Sequence, residues 1–477
     1  MKKEPSLFLA LVPVISMLVL LGGGVGGYDL PPEPLIIVST VIAGIIAIYL
    51  GYSFDDIMNS VADKVGKTIP AILILVTVGL MIGAWMIGGT IPMLIYYGLK
   101  IISPTFVVVT AFFVTSIIAI CTGTSWGAAG TIGVAFMGVA IGMDANLAMV
   151  AGAVVSGAYF GDKMSPLSDT TNLASLSTDV DLYDHIKHMI WTTGPAFIVA
   201  AIVFFIVGLF TNSAGTEIPE TVNEIMSVLS SSFHWNVLYL IPIVIILYGS
   251  MTRKPTIPVM LLASLIALLN GVIFEGYSLT QVIDATLNGF DVSMIGGLEE
   301  SAVFSDIETL LNRGGMMSMM NTLLIAICAI TFAGTMMVSN SLDIIIQSLL
   351  KLVKGTAGLI TATIVTGLTT IGVTSNGQVS IVIPGESLKG AYIKQGLHPK
   401  NLSRTIEDSV TVIEPILPWT AAGAYMAGTL GVSTLSYLPW AVLNYTGIIF
   451  ALIWGFTGIG ITKLKNNEFN NELEEES

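Results

Sequence analysis

The sequence predicts an all-α, polytopic membrane protein of inverted-repeat build, the architecture of secondary transporters, with interrupted or re-entrant helices. Three observations carry that expectation. The 477 residues are 54% apolar and 10% charged, outside the range of water-soluble domains. Many apolar runs reach the roughly 20 residues that a helix needs to cross a bilayer. Polar breaks in the first half return in the second at a near-constant spacing.

The first apolar run, Leu7 to Leu21 after Lys2 and Lys3, imitates a secretory signal. No small-x-small cleavage site follows and further spans do, so it reads as the first transmembrane helix. The glycines from Gly22 to Gly27 formally match a dinucleotide fingerprint, but they follow a span rather than a strand and open no helix, so the match is fortuitous. The clearest spans are 7 to 24, 34 to 51, 70 to 90, 189 to 210, 236 to 250, 256 to 275, 320 to 339 and 439 to 461. Stretches 104 to 161 and 357 to 430 are apolar but broken at Thr122-Gly123-Thr124-Ser125, Gly161-Asp162-Lys163 and Thr374-Ser375-Asn376-Gly377. Full spans and re-entrant hairpins both fit these stretches. Lipid satisfies no free backbone group, so such breaks persist only where protein or a water-filled cavity surrounds them.

Laying one half on the other pairs Gly51-Tyr52-Ser53 with Gly276-Tyr277-Ser278, Leu99-Lys100 with Leu350-Lys351, Thr124-Ser125 with Thr374-Ser375, and Ser165-Pro166 with Glu414-Pro415. Loops rich in Lys and Arg stay cytoplasmic. The loop at 142 to 146 carries only Asp144, whereas its counterpart near 386 to 404 carries Lys389, Lys394, Lys400 and Arg404. Lys163 and Lys187 likewise oppose a nearly uncharged partner segment from about 412 to 438. Matched loops therefore face opposite sides, as an inverted repeat requires. The expected layout is a first repeat at 1–211, an external linker at 212–235 and a second repeat at 236–462. An external insertion falls near 291–316, and an acidic tail occupies 463–477. Both termini are expected in the cytoplasm of a bacterium, with the body in its plasma membrane. Cys121 and Cys328 imply neither a disulfide nor a metal site, and no basic patch is present to track nucleic acid.

In such folds the site lies where interrupted helices of the two halves meet. The breaks at Thr122, Thr124 and Ser125 and at Thr374, Ser375, Asn376 and Gln378 supply hydroxyl, amide and backbone oxygens, the ligands a hard cation prefers. Between Gly161 and Asn172 stand Asp162, Ser165, Ser168, Asp169, Thr170, Thr171 and Asn172. A carboxylate inside a membrane is expensive unless it is paired or works on an ion or proton. Asp169 with Thr170 and Asn172 is the expected Na+ site. Asp162 is either a further ligand or neutralised by Lys163 at the cytoplasmic mouth. In the second half Glu407, Asp408 and Glu414 add carboxylates, with Glu407 and Glu414 on one face of a continuous helix. The bland alternative for Glu407 and Asp408 is a helix start neutralised by Arg404. A carboxylate that holds either H+ or Na+ is sufficient for antiport. The histidines His185, His188, His234 and His398 all fall in expected loops.

The segment GDKMSPLSDTTNLA, with DLYDHIKHM from Asp181 to Met189, TGTSWG near 122 to 127, LLNRGGM near 310 to 316 and an Ile-Glu-Asp-Ser run at 406 to 409, resembles the NhaC family of bacterial sodium/proton antiporters. That resemblance implies a transporter rather than an enzyme, one that exchanges Na+ for H+ and needs no cofactor. It also brings a competing expectation, since the family includes exchangers of malate for lactate with Na+ and H+. Beyond these solutes the expected partners are the lipid bilayer and, as an assembly, a homodimer. An organic-acid exchanger needs anion contacts, and the chain offers only Arg253, Arg313 and Arg404 besides helix N-termini.

Overall fold

The computed structural model describes residues 2–28, 30–211, 220–296, 305–351 and 354–464. These residues are helical nearly throughout, and among them the β pairing is limited to isolated bridges, Phe290 with Arg313 and Leu397 with Lys463. Nine helices among the described residues are long and apolar enough to cross a membrane. Two further pairs, Val222–Ser232 with Val237–Met251 and Thr434–Trp440 with Val442–Thr457, meet that test together and bend by 107° and 55°. The protein is thus an all-α, polytopic membrane protein.

Local chemistry explains where these helices begin and end. Phe54–Ile87 starts well before the apolar run at 70, because Ser53 and Asp56 form a capping box. The Ser53 hydroxyl accepts from Asp56 N at 3.1 Å while the Asp56 carboxylate accepts from Ser53 N at 2.9 Å. Its 34 residues span about 51 Å at ~1.5 Å per residue, against about 30 Å of hydrocarbon. The polar first turns, with their exposed Asp63–Lys67 pair, accordingly extend beyond the apolar slab. The matched start at Ser278 uses the same box with Gln281, but Leu279–Leu287 is short and the chain resumes as a long helix only at Met320–Met337. Glu299 and Glu300 lie outside the described residues, and Ser305–Leu311 is a short helix.

Four further backbone features recur between the halves. Gly89 (φ 77°) and Asn340 (φ 51°) are left-handed residues preceding Thr90–Ile101 and Ser341–Leu350. Gly123 (φ 67°) and Ser375 (φ 53°) are left-handed residues ending Val107–Thr122 and Gly355–Thr374. Thr124 and Asn376 cap the helices that follow, as do Ser168 and Thr420. Similar turns and caps thus stand at the matched positions of the two halves, made by different residues. At each of the two breaks the arms pack against one another. Glycines let helices approach: a Cβ on Gly157 would collide with Phe112 O, and one on Gly161 with Ser116 O, so Leu147–Met164 and Val107–Thr122 lie nearly backbone to backbone.

Several expectations need correction. The segment Glu220–Ser232, expected to be part of an external linker, is a helix whose Val222, Ile225 and Leu229 are fully buried. Their spacing of three and four residues makes a helical apolar face, which a reading by charge overlooks. The Lys- and Arg-bearing loop near 386 to 404 shrinks to a turn between Gly377–Lys394 and Lys400–Ile406. Arg404 is buried and its Nη1 donates to Gly460 O at 2.8 Å, so it is no loop cation, and neither is the buried Lys163. His185 and His188 lie on the helix Leu182–Thr211, buried against the second half, with His185 Nδ1 2.7 Å from Ser403 Oγ and His188 Nε2 3.2 Å from Asn401 Oδ1. The acidic tail from residue 465 lies outside the described residues.

Candidate functional site

Two kinds of helix break build the site. At the first, Gly123 takes the left-handed conformation that glycine enters at least cost, and Thr124 then restarts the helix by accepting from Gly127 N at 3.2 Å. The second-half copy restarts at Asn376, whose side chain accepts from Val379 N at 3.0 Å. The other kind unwinds a helix. Leu147–Met164 stops at Ser165, whose hydroxyl donates to Ile120 O at 2.8 Å, and Ser168 caps Asp169–Leu176. In the second half, Lys400–Ile406 passes into a π turn over 407–411 and a single 3-10 turn at 414–416 before Thr420 caps Ala421–Leu430.

The first tip packs directly on the first unwound segment, since a Cβ on Gly123 would stand 2.5 Å from Leu167 Cβ and 3.0 Å from Ser168 N. Gly123→Ala is therefore expected to lower stability by more than the ~1–2 kcal/mol of a left-handed alanine. Thermal unfolding of the purified protein in detergent reads this as a lowered midpoint. An unchanged midpoint would mean that the tip yields freely.

All four breaks converge on one cavity of about 780 Å³. Among the residues singled out from sequence, Thr122, Thr124, Ser125, Asp162, Asp169, Thr170, Asn172, Asn376, Gln378 and Glu414 line it. Asp162 and Glu414 are the buried acids of this wall, 6% and 9% exposed. Each is held by a helix start: Asp162 Oδ2 accepts from Ser125 Oγ at 2.8 Å, and Glu414 Oε1 accepts from Gly377 N at 3.2 Å. The two lie within electrostatic reach of one another. Asp169 is exposed in the first turn of its helix. Asn172 spends its amide hydrogens on Pro166 O at 3.0 Å and Ser168 O at 2.6 Å.

The remaining candidates do not line the cavity. Ser165, Ser168 and Thr171 tie the unwound segment, Thr171 by donating to Lys163 O at 3.0 Å. Thr374 and Ser375 close the second tip, the Thr374 hydroxyl lying 2.6 Å from that of Ser380. Lys163 does not neutralise Asp162: it forms an ion pair with Asp408, so that a buried charge pair joins the two halves. Arg404 does not neutralise Glu407 or Asp408 by a hydrogen bond either. The shared face expected for Glu407 and Glu414 is lost, because the π turn and the break after it shift the register. Glu414 reaches the cavity, and Glu407 stays behind it, wholly buried.

Sequence reasoning passed over the aromatic wall. Trp126 and Tyr425 stack with ring centroids 4.2 Å apart, and Tyr425 Oη donates to Trp126 O at 2.7 Å. Lys67, Arg253 and Lys254 also line the cavity, with Arg253 Nη2 donating to Pro166 O at 3.0 Å. Their meeting depends on contacts between distant helices, for which one sequence holds no signal. Among the described residues no three of His, Cys, Asp and Glu are grouped as a metal ion would need. A cation here would draw the rest of its ligands from hydroxyls, amides and carbonyls.

Comparison with known proteins supplies the remaining observations. The model of the Na+/H+ antiporter family matches residues 157–459. A protein of Haemophilus influenzae described as an uncharacterized Na+/H+ antiporter is 60% identical over 97% of this chain and 98% of its own. The Na+/H+ antiporter NhaC of Alkalihalophilus pseudofirmus is 36% identical, covering 91% of each chain. The malate-2H+/Na+-lactate antiporter of Bacillus subtilis is 34% identical over 98% of both.

Proposed function

The chain belongs to the Na+/H+ antiporter family, and on that premise we propose that it exchanges Na+ for H+ across the bacterial plasma membrane by alternating access. The observation that carries the reading is the cavity floor, where Asp162 and Glu414, one acid from each half, face the same space and are positioned by the helix restarts at Ser125 and Gly377. A carboxylate so placed holds a cation or a proton, and whichever is bound excludes the other. Ser125, Thr124 and Asn376 add oxygen ligands, while Asp169, Thr170 and Asn172 line the approach. Alternating access follows if the two halves lie inverted in the bilayer with both termini cytoplasmic, a layout supported by the repeated caps and by the exposed Lys187 and Lys394.

A second reading, exchange of organic acids such as malate and lactate with Na+ and H+, draws on the cationic residues Lys67, Arg253 and Lys254 in the same cavity and on the Bacillus subtilis relative. One experiment separates the two. The protein is reconstituted in vesicles, a Na+ gradient is imposed, and internal pH is followed with and without malate or lactate. Proton movement driven by Na+ alone is expected, and an absolute requirement for an organic acid would install the second reading.

A further inference from the structure

Behind the cavity floor lies an acid that the exchange site does not use. Glu407 has no exposed surface, and neither of its carboxylate oxygens makes a hydrogen bond of good geometry, the Thr411 hydroxyl being the donor that comes nearest. It opens the π turn Glu407–Thr411, whose far end, Thr411, lines the cavity and likewise has a hydroxyl without a partner. The polar groups facing the carboxylate are Lys163 and Asp162 from Leu147–Met164, and Asp408 and Thr411 from its own turn. Beyond them, Arg404 faces Asp408 and His185 faces Lys163. Of the other helices that pack against the turn, Gly355–Thr374 and Val442–Thr457 carry no charged residue, while Gly377–Lys394 carries Glu386, Lys389 and Lys394 and Asp169–Leu176 carries Asp169, none of them among the groups that act on the Glu407 carboxylate. Lys163 is already committed to Asp408. An unpartnered carboxylate in such a place is strongly disfavoured unless it holds a proton.

We propose that Glu407 is a proton-binding site separate from the cation site, holding a proton while the cavity is empty and releasing it when a cation docks at Asp162. This extends the Na+/H+ exchange reading and rests on it. In the releasing step the Glu407 O–H bond breaks and the proton passes beside Thr411 to a cavity water. The remaining carboxylate feels the field of the Lys163 ammonium without displacing Asp408 from it, and the positive charge lost with the proton is matched by the cation gained at Asp162. The coupling acts through charge across the Leu147–Met164 helix, with no ligand in common, and by linkage it is reciprocal.

The test measures Na+ affinity as a function of pH, read from Na+-induced thermal stabilisation of the full-length protein in detergent. Above the pH at which Asp162 ionises by itself, the wild type releases one proton, from Glu407, per Na+ bound, so affinity should rise by about tenfold per pH unit. In Glu407→Gln the slope should fall by about one decade per unit, with Na+ still bound at high pH. Equal slopes in the two proteins would overturn the proposal. Should Glu407→Gln fail to fold, Thr411→Val keeps it testable: Na+-driven proton flux in vesicles should drop about tenfold with the pH slope unchanged, and an undiminished flux overturns it. A wild type that moves no protons in response to Na+ takes down the exchange reading itself, a result distinct from equal slopes.

Discussion

Asp162→Asn is expected to remove Na+-driven proton exchange almost completely while leaving a folded protein. The substitution keeps the shape and keeps an oxygen able to accept from Ser125 Oγ, the contact now made at 2.8 Å, so the helix restart at 125 stays supported. What disappears is the negative charge. Removing one partner of a buried charge interaction weakens binding by about 3 kcal/mol, or roughly 100-fold in Na+ affinity. Two measurements check this. Thermal unfolding in detergent should give a near-wild-type midpoint that no longer rises with added Na+, and vesicles should show no pH change on a Na+ gradient. Exchange that survives in Asp162→Asn would shift the cation to the exposed Asp169 and the hydroxyls around it.

The second large effect concerns stability. Lys163 and Asp408 are 1% and 0% exposed and pair across the two halves. Lys163→Met leaves the buried Asp408 carboxylate without its ion-pair partner, and breaking a buried pair costs about 3–5 kcal/mol. Its thermal midpoint should fall sharply and yield should drop. Adding Asp408→Leu removes the stranded charge, and the double variant should recover most of the loss, because apolar replacement of a whole buried pair is close to neutral. A single variant as stable as the wild type would show that the pair contributes nothing to holding the halves together.

Membrane embedding and the long helices were legible because each leaves a local trace in composition or run length. The convergence of 122–125, 162–172, 374–378 and 407–414 was legible in outline, since broken helices announce themselves as hydroxyls and glycines inside apolar runs, but Thr374, Ser375, Glu407 and Asp408 stay off the cavity. Partnership was not. Lys163 follows Asp162 in sequence, which suggests that they pair, yet successive residues on a helix point about 100° apart. Lys163 therefore turns to Asp408 while Asp162 faces the cavity. The offset between Glu407 and Glu414 was hidden too, because a π turn adds no residue type that distinguishes it from an ordinary helix. His185 and His188 read as loop residues because their polarity was visible and the second-half surface covering them was not.

The buried Lys163–Asp408 link also bears on how the molecule is able to move. Any rearrangement that pulled Leu147–Met164 away from the turn after Lys400–Ile406 would leave two bare charges in a dry environment, so these helices should travel as one piece. The motion that exposes the cavity to either side should then arise around this point, in segments joined by apolar packing alone, where surfaces slide without any charge being uncovered.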